Sequence, residues 1–566
     1  MAVVDWIIVF VYAVSTIGLG WYFGRQQKSA KEYFIGSGKM NPILIGVSLF
    51  ATLLSTITYL AMPGETMGKG PVYLIGYLMY PVVFLVLAFV VLPVYMRQKN
   101  VTSAYELLEK KLGVSVRLLG VVMFLMLRLV WMSFLIFMTA KAIAGIIDAK
   151  DWDFTINIGN ATFAFESVHL IVLVTGIFAI TYTSLGGLRA VVITDLIQTI
   201  LLYGGALLVI GTITWKMGGF SWFPTEWQGD IWQSQPIFST DPATRITVVG
   251  TLLSVVLWMV CTAAGDQVSV QRYMATENAA TARKAMTTWL IVGTIVGVTL
   301  GLVGFSLMGY FQANPELLVE EGLTLQKNSD EIFSYFIGKH LPPVVTGLVV
   351  SGLFAAAMSS IDSGVNSITA VVMTDFLGRF GFKTDTDVQQ IKFSRQMAIV
   401  IGAIVISLSP VFGTVQGGFL AVTQKTVNLL TVPIFLLFFF ALFVPSANSK
   451  GVWTGVLSSV LLAVLVAFSG PIYGLDPKTG LDPISFQWIS PCAFLVGISV
   501  GLAACRFFSS KVTSSGALLF SALVSVVFYK LIHLELHPLP LAGALIIGSI
   551  TYLCITPRPD IGKTTQ

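Results

Sequence analysis

Long apolar runs separated by short polar segments repeat along the chain from residue 5 to residue 556. A membrane-spanning helix needs about 20 mostly apolar residues, and the runs have the length and spacing of such helices. They cover residues 5–23, 42–62, 72–96, 115–147, 168–186, 190–215, 246–270, 285–311, 343–376, 393–413, 419–444, 451–470, 488–506, 514–533 and 540–556. The pattern predicts an all-α polytopic membrane protein with fifteen spans.

Lys and Arg concentrate in alternate loops along the chain. The segments after odd-numbered runs contain, among others, Arg25, Arg97, Arg189, Arg272 and Arg379. Since cytoplasmic loops are enriched in Lys and Arg, we predict an external N-terminus and a cytoplasmic C-terminus. We expect the plasma (inner) membrane as the location.

One of the outward segments, "DAKDWDFTINIGNATFAFESVH", alternates between polar and apolar residues. Such a period of two is typical of strands. It predicts a small β-hairpin outside the membrane.

The composition narrows the function classes. Of the 566 residues, 55% are hydrophobic and 11% are charged, less than half of the about 25% charged residues of a soluble protein. A net charge of +5 is small for this length, so we expect no nucleic-acid partner. The sequence has no Walker, H-E-x-x-H or G-x-S-x-G motif, so we predict neither an ATP-driven pump nor an enzyme, and no cofactor. The four cysteines lie in or beside apolar runs without metal or redox spacing, which is typical of packing residues.

Apart from charges nearer the ends of the runs, five charged residues are candidates for the bilayer centre: Arg128, Asp195, Asp266, Asp362 and Lys425. A charge at the bilayer centre costs about 2.5–3.5 kcal/mol on insertion scales. Each is therefore a candidate functional residue. The alternatives are structural: Arg128 pairs with Asp266, Asp362 or a helix end, and Lys425 extends outward to the interface.

The ninth run contains the unusually polar stretch "AAAMSSIDSGVNS", residues 355–367. On a helix, Ser359, Asp362, Ser363 and Asn366 share one stripe, and Ser360 and Ser367 form a second stripe beside it. Small hard cations prefer oxygen ligands, so the pattern favours a cation site. The alternative is that the serines bridge helices or bond back to carbonyls of their own helix.

Two other runs are interrupted at matching positions, five spans apart. The second reads "VSLFATLLSTITYLAMPGETMGKG", and the seventh reads "VVLWMVCTAAGDQVSVQRYM". Polar, interrupted spans in corresponding positions of two halves indicate an inverted-repeat transporter, with its binding site where both helices unwind.

Several motifs in order resemble the sodium/solute symporter family over roughly residues 1–445. They are "YFIGSGKMNPILIGVSLFAT", "TSAYELLEKKLG", "TYTSLGGLRAVVITDLIQ", "GDQVSVQRYMA" and "AAAMSSIDSGVNS". The resemblance implies a LeuT-like core of five-plus-five inverted repeats, with one extra N-terminal helix and about four extra C-terminal helices. The corresponding division is 1–41 for the extra helix and first cytoplasmic loop, 42–215 and 216–444 for the two repeats, and 445–566 for the accessory helices and a short tail.

The resemblance also implies sodium as the coupling ion. Its first site would use the carbonyls of Ala51, Leu54 and Ala356 and the hydroxyls of Ser359 and Ser360. A second site, present in some members, would use Asp195, Ser359, Ser363 and position 362. The family commonly has Ser or Thr at position 362, whereas this chain has Asp362. That carboxylate either strengthens cation binding or binds a proton, so the number of sodium ions stays open.

The solute is a small polar organic molecule, and the resemblance leaves its class open. Where sugar carriers of the family have an asparagine, a glutamate and a glutamine, this chain has Leu53, Tyr77 and Lys425. Arg128 lies about 11–13 residues into its span, near mid-membrane at ~1.5 Å per residue, and Arg suits bidentate binding of a carboxylate. We therefore favour a carboxylate-bearing solute, sialic acid or another organic acid, over a sugar or polyol. The candidate solute-binding residues are Ser55, Thr58, Tyr77, Arg128, Asp266, Gln267 and Lys425.

A sodium-driven symporter working by alternating access is the first hypothesis. A channel would need a pore-lining ring repeated by symmetry, and a transporter-like sensor would need a signalling segment. Neither is visible in the sequence. We expect solute, sodium and lipid as the partners and a monomer as the functional unit.

Overall fold

The computed structural model describes residues 1–25, 27, 29–36, 38, 40–97, 103–149, 154–158, 161–232, 236–379, 381, 386–414, 418–472 and 482–509. The predicted spans 514–533 and 540–556, and Cys554, lie outside these residues. The chain divides into two compact units. The first comprises Met1–Ser103, Leu125–Ile237 and Gln267–Thr426, and the second comprises Ala104–Phe124, Phe238–Asp266 and Val427–Gln566.

The regular elements of the described residues are helices and one hairpin. The first helices are α1 (Val3–Gly24), α2 (Ala30–Ile35), α3 (Pro42–Leu53), α4 (Thr56–Gly68), α5 (Tyr80–Val86), α6 (Leu92–Met96), α7 (Glu106–Leu112), α8 (Val114–Ile147) and α9 (Ser167–Lys216). They are followed by α10 (Val248–Gly265), α11 (Gln267–Met274), α12 (Ala279–Ala313), α13 (Glu316–Val319), α14 (Ser329–Lys339), α15 (Val345–Val371), α16 (Asp387–Leu408), α17 (Phe419–Phe443), α18 (Ser449–Ala467), α19 (Ser469–Ile472) and α20 (Ile489–Ser509). Among these residues, eleven helices are long and apolar enough to cross a membrane.

The predicted hairpin is present. Strands β1 (Phe154–Ile158) and β2 (Ala161–Phe165) pair antiparallel, with Phe154 opposite Phe165 and Ile158 opposite Ala161. The hairpin predicted from the period-two pattern is therefore confirmed, and its position outside the membrane stays a prediction.

The long helix α9 contains two spans. Its 50 residues would extend about 75 Å at ~1.5 Å per residue, more than twice the ~30 Å hydrocarbon core. Gly187 breaks it with φ 60° and ψ −176°, a conformation that side chains disfavour. A Cβ on Gly187 would also lie 2.9 Å from the Tyr33 carbonyl oxygen. The break falls between the predicted spans 168–186 and 190–215, which confirms them as separate spans.

The second predicted span is a broken helix. Helices α3 and α4 are bent by 69° at a short break, where Leu54 (ψ 109°) and Ser55 (ψ 164°) are extended. With this pair and the two halves of α9, thirteen of the fifteen predicted spans are present in the described residues. The remaining two are the spans outside them.

In the first unit, helices α1, α9 and α15 pack together through buried contacts. The Tyr182 hydroxyl donates to the Met358 carbonyl at 3.2 Å. Asp5, on α1, accepts from the backbone N–H groups of Val344 (2.8 Å) and Gly347 (3.0 Å) at the start of α15. An acceptor at a helix N-terminus satisfies amides that have no partner within the helix. Helix α15 is thereby fixed at its start and at the beginning of its polar stretch.

In the second unit, amide side chains join the helices. Asn448 Nδ2 donates to the Cys505 carbonyl at 2.6 Å, and Gln487 Nε2 donates to Thr251 Oγ1 at 2.6 Å. Cys261, Cys492 and Cys505 are buried free thiols here, as packing residues are expected to be.

Candidate functional site

The break between α3 and α4 leaves backbone carbonyl oxygens without a partner within the helix, at a buried position. The last four carbonyls of any helix have no intrahelical partner, and α3 ends at Leu53. Ala51 and Leu54 are buried at this end, with 6% and 9% of their surface exposed. The break therefore presents carbonyl oxygens where the sequence predicts sodium ligands.

Helix α15 carries the polar stretch as one continuous helix. Ser359, Ser360, Asp362 and Ser363 are 0–4% exposed, so the stretch lies entirely inside the first unit. Ser360 Oγ donates to the Thr52 carbonyl at 3.1 Å, which joins α15 to the last turn of α3. The two elements predicted to share the first sodium site are thus in contact.

Asp195 lies in the second half of α9 and is fully buried. Its Oδ1 accepts from Ser359 Oγ at 2.6 Å, and its Oδ2 accepts from Ser48 Oγ at 2.5 Å. Asp195 and Ser359, two residues of the predicted second sodium site, are therefore in direct contact, while their role as sodium ligands stays a prediction.

Asp362 is also fully buried. The Tyr182 hydroxyl donates to one carboxylate oxygen, and Ser363 Oγ donates to the other at 3.2 Å. Tyr182 reaches it from the first half of α9. The residue that departs from the family pattern is thus held by partners on two helices.

Arg272 lies at the centre of this cluster and is 0% exposed. Its guanidinium donates to Ser48 Oγ (2.8 Å), Thr52 Oγ1 (2.5 Å) and Ser363 Oγ (2.6 Å), and Nη2 lies 3.4 Å from Asp195 Oδ2. It acts electrostatically on Asp362 as well. We call Asp195, Asp362, Arg272 and the hydroxyls bonded to them, those of Ser48, Thr52, Ser359, Ser363 and Tyr182, the ion cluster.

Arg272 corrects an interpretation of the sequence. We counted it with the cytoplasmic loop residues because it follows an apolar run. In the structure it belongs to α11, the second half of the interrupted seventh span. The signal was present: the chain is extended at Asp266, with ψ 128°, and a helix resumes at Gln267, so Arg272 lies in a helix and not in a loop.

The candidate solute-binding residues are distributed over several helices. Arg128 is 7% exposed, in the middle of α8, and Lys425 is half-buried in α17. Gln267 begins α11 and is fully buried, and Asp266 is the extended residue before it. Their joint role in binding stays a prediction.

Three other candidates make structural contacts. Ser55 Oγ accepts a hydrogen bond from the Thr58 backbone N–H at 3.1 Å, and the hydroxyls of the two residues lie 3.1 Å apart. Ser55 is therefore the N-cap of α4, and Thr58 is bonded to it. Tyr77 lies against α12 so closely that a Cβ on Gly297 would be 1.7 Å from its hydroxyl. Glycine at 297 is what lets the tyrosine fit.

The family model for the sodium:solute symporter family matches residues 33–458, which is most of the chain. The chain belongs to the sodium:solute symporter family. Sodium-driven symport of a small solute follows from this membership, and the prediction of a transporter rather than an enzyme is confirmed.

Similar proteins support the family assignment. A sodium/sialic acid symporter, NanT, from Aliivibrio fischeri (strain ATCC 700601 / ES114) is 29% identical over 82% of this chain and 87% of its own length. The human sodium-coupled monocarboxylate transporter 1 is 25% identical over 84% of this chain and 75% of its own. A solved structure of a sodium-coupled sialic acid symporter in a substrate-bound, outward-open state matches with a TM-score of 0.74, 24% identity, and coverage of 89% of this chain and 98% of that one.

The structural match shows the fold that the resemblance implied. This chain has a LeuT-like helical core and is a multi-pass membrane protein. The repeat boundaries 42–215 and 216–444 stay predictions, as do the orientation of the termini and the monomeric state.

Three residues of the ion cluster besides Arg272 were not predicted from the sequence as site residues. Ser48, Thr52 and Tyr182 are polar residues inside apolar runs, as many structural residues are. Tyr182 lies in the matched signature region "TYTSLGG", so only its three-dimensional position distinguishes it from a packing tyrosine. It belongs to the cluster through a contact between helices that are far apart in the sequence.

Proposed function

We propose that this symporter imports a small carboxylate-bearing solute together with sodium, by alternating access. The observation that carries the proposal is Arg128, a buried arginine in the middle of a span of 34 residues. A charge at this depth is costly unless a partner or ligand uses it, and a guanidinium binds a carboxylate through two parallel hydrogen bonds.

The contacts of Asp362 support this reading. In the alternative, Asp266 or Asp362 neutralises Arg128 and Lys425, which leaves a neutral cavity for a sugar or polyol. Asp362 is bonded to Tyr182 and Ser363 and has Arg272 as its neighbouring cation. Asp362 is therefore occupied within the ion cluster, and Asp266 is the carboxylate left to this alternative.

The relatives agree with a carboxylate. Sialic acid is a carboxylic acid, and so is a monocarboxylate by definition; these are the solutes in the names of the two relatives above. The replacement of the sugar ligands by Leu53 and Tyr77 points the same way. Sialic acid or a smaller organic acid is the solute class we favour.

For the ion, we propose a first sodium held by the carbonyls of Ala51, Leu54 and Ala356 and the hydroxyls of Ser359 and Ser360. A second sodium would bind Asp195, Ser359, Asp362 and Ser363. The buried cluster contains two carboxylates and one guanidinium, so one further monovalent cation balances its charge. Low-dielectric surroundings strongly favour such a balance.

The solute class is tested by competition. Purified protein in sodium is titrated with organic acids, neutral hexoses and amino acids, and binding is read as a thermal shift. We expect carboxylates, and not hexoses, to bind. A neutral hexose that competes as well as any acid would establish the sugar reading instead.

The role of Arg128 is tested with Arg128→Lys, which keeps the charge and loses the fork. We expect solute binding to weaken about tenfold or more, since hydrogen bonds to charged groups are each worth about 1.5–3 kcal/mol, while sodium binding without solute is retained. Arg97→Lys, at an exposed arginine, is the matched control and should bind solute normally.

The number of sodium ions is tested by measuring the uptake ratio of radioactive sodium to solute. Two sodium ions per solute support both sites. One sodium, with uptake that also responds to a proton gradient, would assign a proton to Asp362. Asp362→Ser, which restores the usual residue type of the family, should then abolish the proton response.

A further inference from the structure

Arg272 occupies acceptor positions on oxygens that the proposed second sodium needs. Its Nη2 lies 2.6 Å from Ser363 Oγ and 3.4 Å from Asp195 Oδ2. Both oxygens belong to the ligand set proposed for the second sodium. The guanidinium is therefore a cation already present at the edge of that site.

The hydrogen bonds of Ser363 leave its oxygen without capacity for an ion. A serine hydroxyl has one donor and two acceptor positions. Ser363 Oγ donates to Asp362 (3.2 Å), accepts from Arg272 (2.6 Å), and accepts from Thr52 Oγ1 (2.8 Å) when that hydroxyl is the donor. A sodium ion needs one of these lone pairs, so a donor has to leave before Ser363 can bind it.

Of the two donors to Ser363, Arg272 is the one that an incoming sodium ion would repel. Sodium beside Asp195 and Asp362 would place a second cation next to the guanidinium, and like charges in a buried site repel strongly, so the guanidinium would move off Ser363 while its charge stays in the cluster. The guanidinium has other partners to keep, since Nε is bonded to Ser48 Oγ at 2.8 Å and Nη1 to the Val268 carbonyl at 3.1 Å.

We propose that Arg272 is a tethered competitor of sodium at the second site, and that the ion binds only when the guanidinium releases Ser363. This inference rests on the proposed second sodium. Because Arg272 lies on α11, which begins with the candidate solute residue Gln267, its release also connects ion binding to the helix that carries part of the candidate solute site.

The proposal predicts that weakening the hold on Arg272 tightens sodium binding. Thr52→Val keeps the side-chain shape and removes the hydroxyl that accepts from Nη2 at 2.5 Å and contacts Ser363. The carbonyl of Thr52, which accepts from Ser360, is unchanged. Sodium titrations of the full-length purified protein, with choline as the replacement cation and thermal stability as the signal, should show a half-saturating concentration about threefold to tenfold lower.

The matched control is Thr194→Val. Thr194 is equally buried, stands beside Asp195, and bonds only to carbonyls of its own helix, those of Ala190 and Val191. Its sodium titration should match the wild type, which separates the effect of the cluster from a general effect of removing a hydroxyl.

A second variant, Arg272→Gln, removes the competing charge itself. Where it folds, judged by a cooperative unfolding transition, its sodium affinity should rise by about tenfold or more, equivalent to about 1.4 kcal/mol. Unchanged or weaker sodium binding in Thr52→Val would overturn the proposal, because an arginine that merely holds the helices together predicts that direction. Wild-type protein that shows no sodium dependence would instead contradict the proposed sodium coupling, and so the two failures are distinguishable.

Discussion

The two proposed sodium positions share helix α15 and differ in the charge of their ligands. The first uses backbone carbonyls and two hydroxyls, and the contact that defines it is a bond from Ser360 to the Thr52 carbonyl. The second lies among two carboxylates and a guanidinium, all fully buried. A buried neutral oxygen without a partner costs about 1–3 kcal/mol. An unbalanced buried charge costs about 3–5 kcal/mol, so the charges have to be balanced in every state.

This difference predicts how each position responds to substitution. Changes at the neutral position should alter sodium affinity and leave stability nearly intact. Changes at the charged position should alter both, because removing one charge leaves its partner buried and unpaired.

The largest effect is expected for Asp195→Asn, which keeps the size and removes the charge. Breaking a buried pair typically costs about 3–5 kcal/mol, here at the 3.4 Å contact with Arg272. We expect loss of sodium-driven uptake, or a lower sodium-to-solute ratio, together with a clearly lower melting temperature.

The control for Asp195→Asn is Asp148→Asn. Asp148 pairs with Lys339 at the same 3.4 Å distance, but both side chains are about half exposed, and exposed pairs contribute about 0–1 kcal/mol. Unchanged coupling and unchanged stability in Asp195→Asn would leave the residue as a structural carboxylate and remove the contrast between the two positions.

The next effect in size is expected for Ser359→Ala. The serine is a proposed ligand of both sodium ions and a donor to Asp195 at 2.6 Å. We expect the sodium concentration for half-maximal uptake to rise by about tenfold, since hydrogen bonds and ligand contacts to charged groups are each worth about 1.5–3 kcal/mol. Ser351→Ala is the control, as Ser351 is buried on the same helix and bonds back to the Gly347 carbonyl. A wild-type sodium dependence in Ser359→Ala would show the ligand assignment to be wrong.

Ser360→Ala sharpens the comparison because it touches only the neutral position. It removes the bond to the Thr52 carbonyl and one proposed ligand, and none of the charged contacts. Sodium affinity should fall by about threefold to tenfold, with a change in stability of about 1 kcal/mol. Solute uptake at saturating sodium should recover, and a variant that stays inactive there would imply a role beyond the first sodium.

How much of this was visible in the sequence depends on whether a residue's role is local. The spans, the break in α3–α4 and the polar stripe of α15 follow from periodicity and residue type, which act over a few positions. The ion cluster joins α3, α9, α11 and α15, and its contacts between these helices link residues more than 70 positions apart in the chain. Asp195 and Asp362 were found because they are carboxylates in apolar runs, whereas Arg272 was missed because a basic residue after such a run usually marks a loop.

Asp5 shows the same limit at the end of α15. It is the first residue of the first apolar run, and the sequence around it does not indicate a partner. In the structure its carboxylate accepts from two amides at the start of α15, whose preceding residue, Val344, has a positive φ of 73°. A distant acidic side chain thus takes the place of a capping residue in the sequence of α15 itself.

The smallest effect is expected for Asp5→Asn, which separates the anchoring of α15 from its chemistry. The amide keeps one acceptor oxygen and loses the charge that favours a helix N-terminus, an interaction worth about 0.3–1 kcal/mol and up to about 2 kcal/mol when partly buried. We expect a small fall in melting temperature and an unchanged sodium half-saturation, because the ion cluster begins about four turns further along the helix at ~5.4 Å per turn. Asp5→Ala, which removes the acceptor altogether, should lower stability further while sodium binding persists. If Asp5→Asn instead shifts sodium affinity as much as Ser360→Ala does, the position of the whole helix, rather than its individual oxygens, sets ion binding.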